Sequence, residues 1–325
     1  MMSLPVLLLI HLILCVFWLC FKPQKAVLSG LALLLSFPFW TRTWKISWKD
    51  SISRRGGQEI TVMSYNLMSF DVYNHIDGIH PQNALNLIRW AKNTEADIKC
   101  FQEFYNFDKR PGFNTLQQFK EAGYNYYTAA HPAIYKHEKH AFGLAIMSKY
   151  PIVKREEKEF QDLNGMLYAD IKIGKDTIRV INVHLRSLIV RFGRLKEAYR
   201  EKDYDQGKSE TRKVYGKLKN GFIHHAEETK LLTEWIDQSP HPVLLCGDFN
   251  ETPYGFAYGQ VRKRLSNAFE NAGSGFGFSY QNAPRFIRID NQFYDKKGLE
   301  IVNFQTRKDV KYSDHYPIMG RYKLL

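Results

Sequence analysis

The chain opens with two apolar stretches and then changes to short alternating runs. Residues 4–21 are apolar except for Pro5 and His11, eighteen positions in all. That is near the lower limit for a helix crossing about 30 Å of hydrocarbon. Lys22-Pro23-Gln24-Lys25 forms a polar bridge, and a second apolar stretch covers 26–40. Trp40, Trp44 and Trp48 follow at intervals of four beside Arg42, Lys45 and Lys49, an order that suits a membrane–water interface. The pattern predicts an anchor over 1–40: a two-helix transmembrane hairpin, or one span plus a re-entrant segment. A cleaved signal peptide fits poorly, because the first stretch has no basic leader and no small-x-small cleavage site. A buried core hairpin stays open as the alternative, since fifteen residues is short for a span.

Beyond the anchor, residues 41–57 read as a basic juxtamembrane linker with net charge +4, and 58–325 as one body. β-Branched and aromatic runs predict strands at 59–65, 97–101, 143–147, 167–173, 177–183, 243–246, 287–290 and 316–322. Helical periodicity places Ala84, Leu87, Ile88 and Ala91 on one face, and Phe222, Ala226, Thr229, Leu232 and Ile236 on another. Strands joined partly as hairpins, with few helices, predict an α/β body built on a mixed sheet.

Composition narrows the class. The chain has 325 residues, 44% hydrophobic and 24% charged, which excludes intrinsic disorder and collagen-like fibres. Four cysteines, Cys15, Cys20, Cys100 and Cys246, are too few for a disulfide scaffold and read as reduced thiols. The net charge of +13 favours polyanionic partners or an anionic membrane face. Residues 186–219 alone carry eleven Lys/Arg against five Asp/Glu. That segment is either a landing surface for a phosphate-rich substrate or anionic lipid, or a solvated helical face. Five Lys/Arg in 41–57 against two in the bridge put the body on the cytoplasmic side of a cell inner or plasma membrane.

Polar residues of particular types gather where the strand-like runs end: Asn66, Glu103, Asn182-x-His184, Asp248-x-Asn250, Asp290 and Ser313-Asp314-His315. Strand ends are where open sheets place sites. Any one of these fragments reads equally well as an ordinary polar edge; six in this order do not. Together they resemble the endonuclease/exonuclease/phosphatase superfamily, which includes pancreatic-type deoxyribonucleases, deadenylases and neutral sphingomyelinases. The resemblance, to a membrane-anchored bacterial-type member, covers about 59–325. It rests most on Gly247-Asp248-Phe249-Asn250, Ser313-Asp314-His315-Tyr316-Pro317 and the run 143–152.

The resemblance implies a four-layer α/β/β/α sandwich and divalent-metal-dependent phosphoester hydrolysis. It makes Asn66, Glu103 and Asp314 the shell for Mg²⁺ or Mn²⁺, and Asp248 the group that orients and deprotonates the attacking water. Asn182, His184 and Asn250 would contact the substrate phosphate, with His184 also a candidate general acid. His315, held by Asp290, would stay cationic and stabilise the transition state. Asp71 is open to two readings, a second-metal ligand or a solvated loop carboxylate. Here Arg288-Ile289-Asp290 is followed by Asn291-Gln292 rather than Tyr-Ile, and the patterns of inositol-polyphosphate phosphatases are absent. A membrane-anchored nuclease is slightly favoured. A phospholipid or small-molecule phosphodiesterase is the alternative, and a non-catalytic membrane adaptor ranks third.

Overall fold

The computed structural model describes residues 4–46, 57–135, 138–160, 164–187, 204–282 and 286–325. The alternating runs become strands β1 (Glu59–Asn66), β2 (Ile98–Asn106), β3 (Asn125–Tyr135), β4 (Glu138–Ser148), β5 (Ile152–Glu159) and β6 (Gly165–Ile173). After them come β7 (Asp176–His184), β8 (Val243–Asp248), β9 (Ser266–Asn267), β10 (Asp290–Tyr294), β11 (Leu299–Thr306) and β12 (Ile318–Leu324). They form two six-stranded sheets, ordered β11-β12-β1-β2-β4-β3 and β5-β6-β7-β8-β10-β9. Each sheet is antiparallel except for one parallel pair, β1–β2 in the first and β7–β8 in the second. Parallel neighbours need a crossover, and helices Pro81–Asn93 and Tyr204–Asp237 supply the two.

Alternation explains the layers. Inward residues of the first sheet (Ile60, Val62, Cys100, Ile146) meet those of the second (Leu167, Ala169, Val180, Leu244, Cys246) in one apolar core. The opposite face of the first sheet, through Met63, Tyr65 and Phe101, packs on Leu87, Ile88 and Ala91 of its crossover helix. The opposite face of the second, through Tyr168, Ile181 and Leu245, packs on Leu232 and Ile236. The body is thus two packed mixed sheets flanked by helices, as the sequence pattern and its resemblance imply.

Four details differ from the sequence expectation. The strand foreseen at 287–290 begins only at Asp290, because Ile287 answers Ser279 instead of a ladder partner. The strand foreseen at 316–322 starts two residues later, since the Tyr316 amide donates to Ser279 O. Phe222 lies on the outside of helix Tyr204–Asp237, whose inner stripe there is polar: His225, Glu228 and Thr229. The supposed linker 41–57 is docked on the body as far as it is described, over 41–46; residues 47–56 lie outside the described residues. Of the basic segment 186–219, residues 188–203 also lie outside them, and 204–219 form the first half of that helix.

The N-terminus forms two helices, Leu4–Phe21 and Pro23–Leu35, packed on each other. Among the described residues no single helix is long and apolar enough to cross a membrane. The pair Pro23–Leu35 and Phe37–Thr43 meets that test only together, across a 46° bend. Their surface is mostly apolar, with Ile13, Leu28 and Leu35 exposed, and its polar exposed positions Gln24 and Lys25 lie in the first turn of the second helix.

Candidate active site

Regular pairing brings three of the foreseen residues onto one rung of the second sheet. His184 ends β7 opposite Asp248 at the end of β8, and Asp248 is opposite Asp290 at the start of β10. Gly247 makes the approach possible: with φ at +148°, a Cβ there would collide with Val183 O. The chain then turns sharply. Asp248 Oδ1 accepts the Asn250 amide at 2.8 Å, and Asn250 sits in the left-handed region at φ 48°. Its side chain donates to Leu185 O at 2.8 Å, tying the β8 turn to the residue after His184.

The first sheet contributes from across the cleft. Asn66, ending β1, is level with Gln102 in β2, and the ladder between β2 and β4 slips between Phe101 and Phe104. Within that slip Glu103 takes a left-handed backbone at φ 49°, which turns its carboxylate out of the sheet. Asn66 Nδ2 lies 3.2 Å from both Glu103 Oε1 and Asp248 Oδ2.

Asp248 Oδ2 is therefore the centre of the site. His184 Nε2 and His315 Nε2 each approach it to 3.7 Å, too long for a hydrogen bond but close enough for charge to act. His315 Nδ1 is hydrogen-bonded to Asp290 Oδ2 at 2.8 Å. Asp248, Asp290 and His315 present ligand-type atoms within 4.8 Å of one another, all three buried. Ser313 fixes the third strand end by donating to Asn66 O at 2.8 Å.

The comparisons bear directly on this arrangement. The sequence profile of the Endonuclease/Exonuclease/phosphatase family matches residues 63–315, a span that contains every group just described. The chain belongs to that family. Residues 1–43 match a second profile, a domain of unknown function. A search of curated proteins finds no match. Among solved structures the chain is similar to a humanized D. rerio TDP2, at 15% identity and TM-score 0.56, covering 82% of this chain and 99% of that one. It is also similar to a family protein from Bacteroides thetaiotaomicron, at 16% identity and TM-score 0.55, covering 82% and 98%. The human Nocturnin catalytic domain with bound sulfate gives 14% and 0.53, covering 82% and 95%. These likenesses establish the fold.

Electrostatics separates the family site into two parts. Burial disfavours a charge on His315, but the carboxylates of Asp290, Asp248 and Asp314 outweigh it and raise the imidazole to about 10. A cationic His315 paired with Asp290 is the state we assign. On the other side, burial pushes Asp314 above the usual carboxylate range; His315 opposes this, and Glu103 and Asp248 add to it. Such crowding of acidic groups is relieved by a cation. The donors there are hard oxygens, with Glu103 partly open to the cleft, so the set fits Mg²⁺ or Mn²⁺. The Asp248–Asp290–His315 group fits less well, because His315 Nδ1 is already engaged.

Three foreseen residues are held in ways the sequence did not announce. Met68 N donates to Asn66 Oδ1 at 3.0 Å, which fixes the amide and turns Nδ2 toward the carboxylates while leaving Oδ1 a second lone pair. Asn182 does not face substrate. It is wholly buried between the sheets, donating to Phe101 O (2.8 Å) and Ala145 O (3.0 Å) and accepting from Gln102 Nε2 at 2.6 Å. Asp71 is neither solvated nor in the cleft; it is buried and accepts from Asn74 (2.7 Å) and Asn83 (2.8 Å).

Some contributors escaped the sequence reading. Arg186, just past His184, has its amide held by Glu228 Oε2 and its carbonyl by His225 Nε2, both at 3.0 Å. Glu251 closes that support, 3.6 Å from His225 and accepting the Tyr258 amide. His225 and Glu228 fall on the same helical stripe as Leu232, and polar residues continuing an apolar stripe were the available signal.

Proposed function

We propose that the protein is a divalent-metal-dependent phosphodiester hydrolase held at a membrane by residues 4–40. The observation that carries the chemistry is the placement of Asp248 Oδ2 between Asn66 at 3.2 Å and His184 and His315 at 3.7 Å, with His315 kept cationic by Asp290. Glu103 and Asp314 would hold Mg²⁺ or Mn²⁺, which when bound neutralises charge on the phosphate.

The chain's own groups do the rest. Among the described residues Asp248 is the one carboxylate within 4 Å of both histidines, and it orients a water and takes its proton. Asn66 donates to Asp248 and so holds that oxygen in place. His315 supplies fixed positive charge against the five-coordinate phosphorus. His184, on the opposite side of Asp248, faces the leaving oxygen and donates a proton to it. Asn250 keeps one amide hydrogen on Leu185 O and offers the other to a phosphate oxygen.

Membrane attachment is supported by the apolar surface of Leu4–Phe21 and Pro23–Leu35, which the body leaves uncovered. A body on the cytoplasmic side of the membrane is the orientation that the Lys/Arg bias after the anchor supports. The excess basic charge of the chain suits a phosphodiester carried either by nucleic acid or by an anionic lipid surface. The test is turnover of bis-p-nitrophenyl phosphate by detergent-solubilised full-length protein, with and without Mg²⁺. Hydrolysis that needs the metal and vanishes in Asp248→Asn is the expected result. A metal-independent rate, or an unaffected variant, refutes the reading.

A further inference from the structure

The chain leaving the N-terminal helices is stitched to the catalytic body. Thr41 Oγ1 donates to Glu270 at 3.1 Å, Arg42 Nη1 to Pro253 O at 3.3 Å, and the Thr43 and Tyr254 hydroxyls share a 2.7 Å bond. Buried Arg288 donates back to Arg42 O at 2.9 Å. Lys45 and Gly275 exchange both backbone hydrogen bonds, at 2.9 and 2.8 Å. Three of these partners lead into the site. Pro253 follows Asn250 by three residues, and Arg288 precedes Asp290 by two. Gly275 opens a loop whose Tyr280 packs edge-on against His315 at 5.1 Å and whose Gln281 amide holds Asp314 O at 2.7 Å. Tyr280 is five positions after Gly275, so the two are at most about 17 Å apart along the loop that joins the anchor's exit to the neighbour of His315.

The same loop carries aromatic side chains that the body does not cover. Phe276 is 48% and Phe286 77% exposed. Both pack on Phe278, with ring centroids 5.1 and 5.6 Å apart, and Lys308 Nζ stands 5.6 Å from the Phe278 ring. Across the Lys45–Gly275 seam, Trp44 and Ile46 are also exposed. Aromatic rings beside cations, continuous with the exit of two apolar helices, have the chemistry of a lipid headgroup layer.

We infer that the loop carrying Phe276, Phe278 and Phe286 is a second contact with the bilayer. Together with the anchor it holds the catalytic mouth against the headgroup layer, so the substrate is a phosphoester of a membrane lipid in that leaflet. This rests on the hydrolase reading above. A dissolved polyanion gains nothing from an apolar rim, whereas a headgroup phosphate reaches the site only if the mouth lies at the interface.

The experiment uses the full chain in nanodiscs of phosphatidylcholine, phosphatidylethanolamine, phosphatidylglycerol and sphingomyelin with Mg²⁺. Three substrates are compared: the disc lipid, soluble bis-p-nitrophenyl phosphate and a single-stranded oligonucleotide. Phe276→Ser combined with Phe286→Ser should lower lipid turnover about tenfold or more and leave the soluble diester within about twofold. Phe276→Trp in discs with brominated acyl chains should add a quenched fluorescence component absent from the parent protein. Unquenched tryptophan, lipid turnover indifferent to the double substitution, or an oligonucleotide cleaved faster than every lipid would each overturn the inference. If none of the three substrates turns over, the hydrolase reading itself fails, and the quenching result still decides the membrane contact.

Discussion

The two sheets deliver their halves of the site by opposite means. In the second sheet His184, Asp248 and Asp290 share one rung of an unslipped ladder, with a glycine at 247 for the close approach and the left-handed residue, Asn250, placed in the turn beyond the strand. In the first sheet Glu103 arrives through a slipped ladder and a left-handed residue. A left-handed non-glycine residue costs roughly 1–2 kcal/mol. The difference teaches that three side chains of the site are placed by regular strand pairing, while Glu103 reaches it from a left-handed position inside a slipped ladder.

The largest effect should follow from breaking the rung. Asp248→Asn keeps the acceptor for the Asn250 amide yet should lower kcat about 1,000-fold at every Mg²⁺ concentration, measured on a soluble diester. His315→Gln should cost about 100-fold, because fixed positive charge is lost. The same pairing has a pH signature in metal-free protein. His315 is raised from 6.5 to about 10, so its stabilisation is complete below pH 6.5 and is lost as pH climbs through 10. Denaturation midpoints across that window should show the decline, and Asp290→Asn should flatten it.

Glu103→Gln should fall about 10- to 30-fold and recover in part as Mg²⁺ is raised, since affinity rather than proton transfer is affected. Equal and unrescued losses in Glu103→Gln and Asp248→Asn would erase the distinction between the sheets. Asn182→Ala should leave kcat nearly unchanged but remove about 2 kcal/mol of stability by orphaning buried carbonyls, a drop of roughly 4–8 °C in Tm. Smallest of all should be the stability change in Glu103→Gly, a gain of about 0.5–1 kcal/mol as backbone strain is released, alongside an activity loss at least as large as that of Glu103→Gln. A destabilised Glu103→Gly would show that the strain is not there.

Rung residues were legible in the sequence because regular strands announce their ends: Asp248 and His184 each close an apolar run. Family motifs carried Glu103, Asp314 and His315. What stayed hidden depends on direction rather than position. The amide of Asn66 is turned by the Met68 N–H, and that of Asn182 is drawn inward by carbonyls about 37 and 81 residues away in sequence. The docking of Arg42 on Arg288 spans 246 residues, and no local pattern announces it. Only the polar stripe of His225 and Glu228 left a trace that periodicity could have caught.

The order of strands in the first sheet has a consequence for how the protein is made. β1 is the first strand of the body, yet one of its two edges is completed only by β12, which emerges roughly 250 residues later. At 5–20 residues per second a ribosome needs roughly 13–50 s to cover that distance. During that interval an unpaired edge at Glu59–Asn66 trails behind an apolar hairpin that has already left the tunnel. An open edge of this kind invites pairing with another nascent chain. Activity cannot arise in the interval either, because His315 emerges just ahead of β12, so the site is completed only as the edge closes.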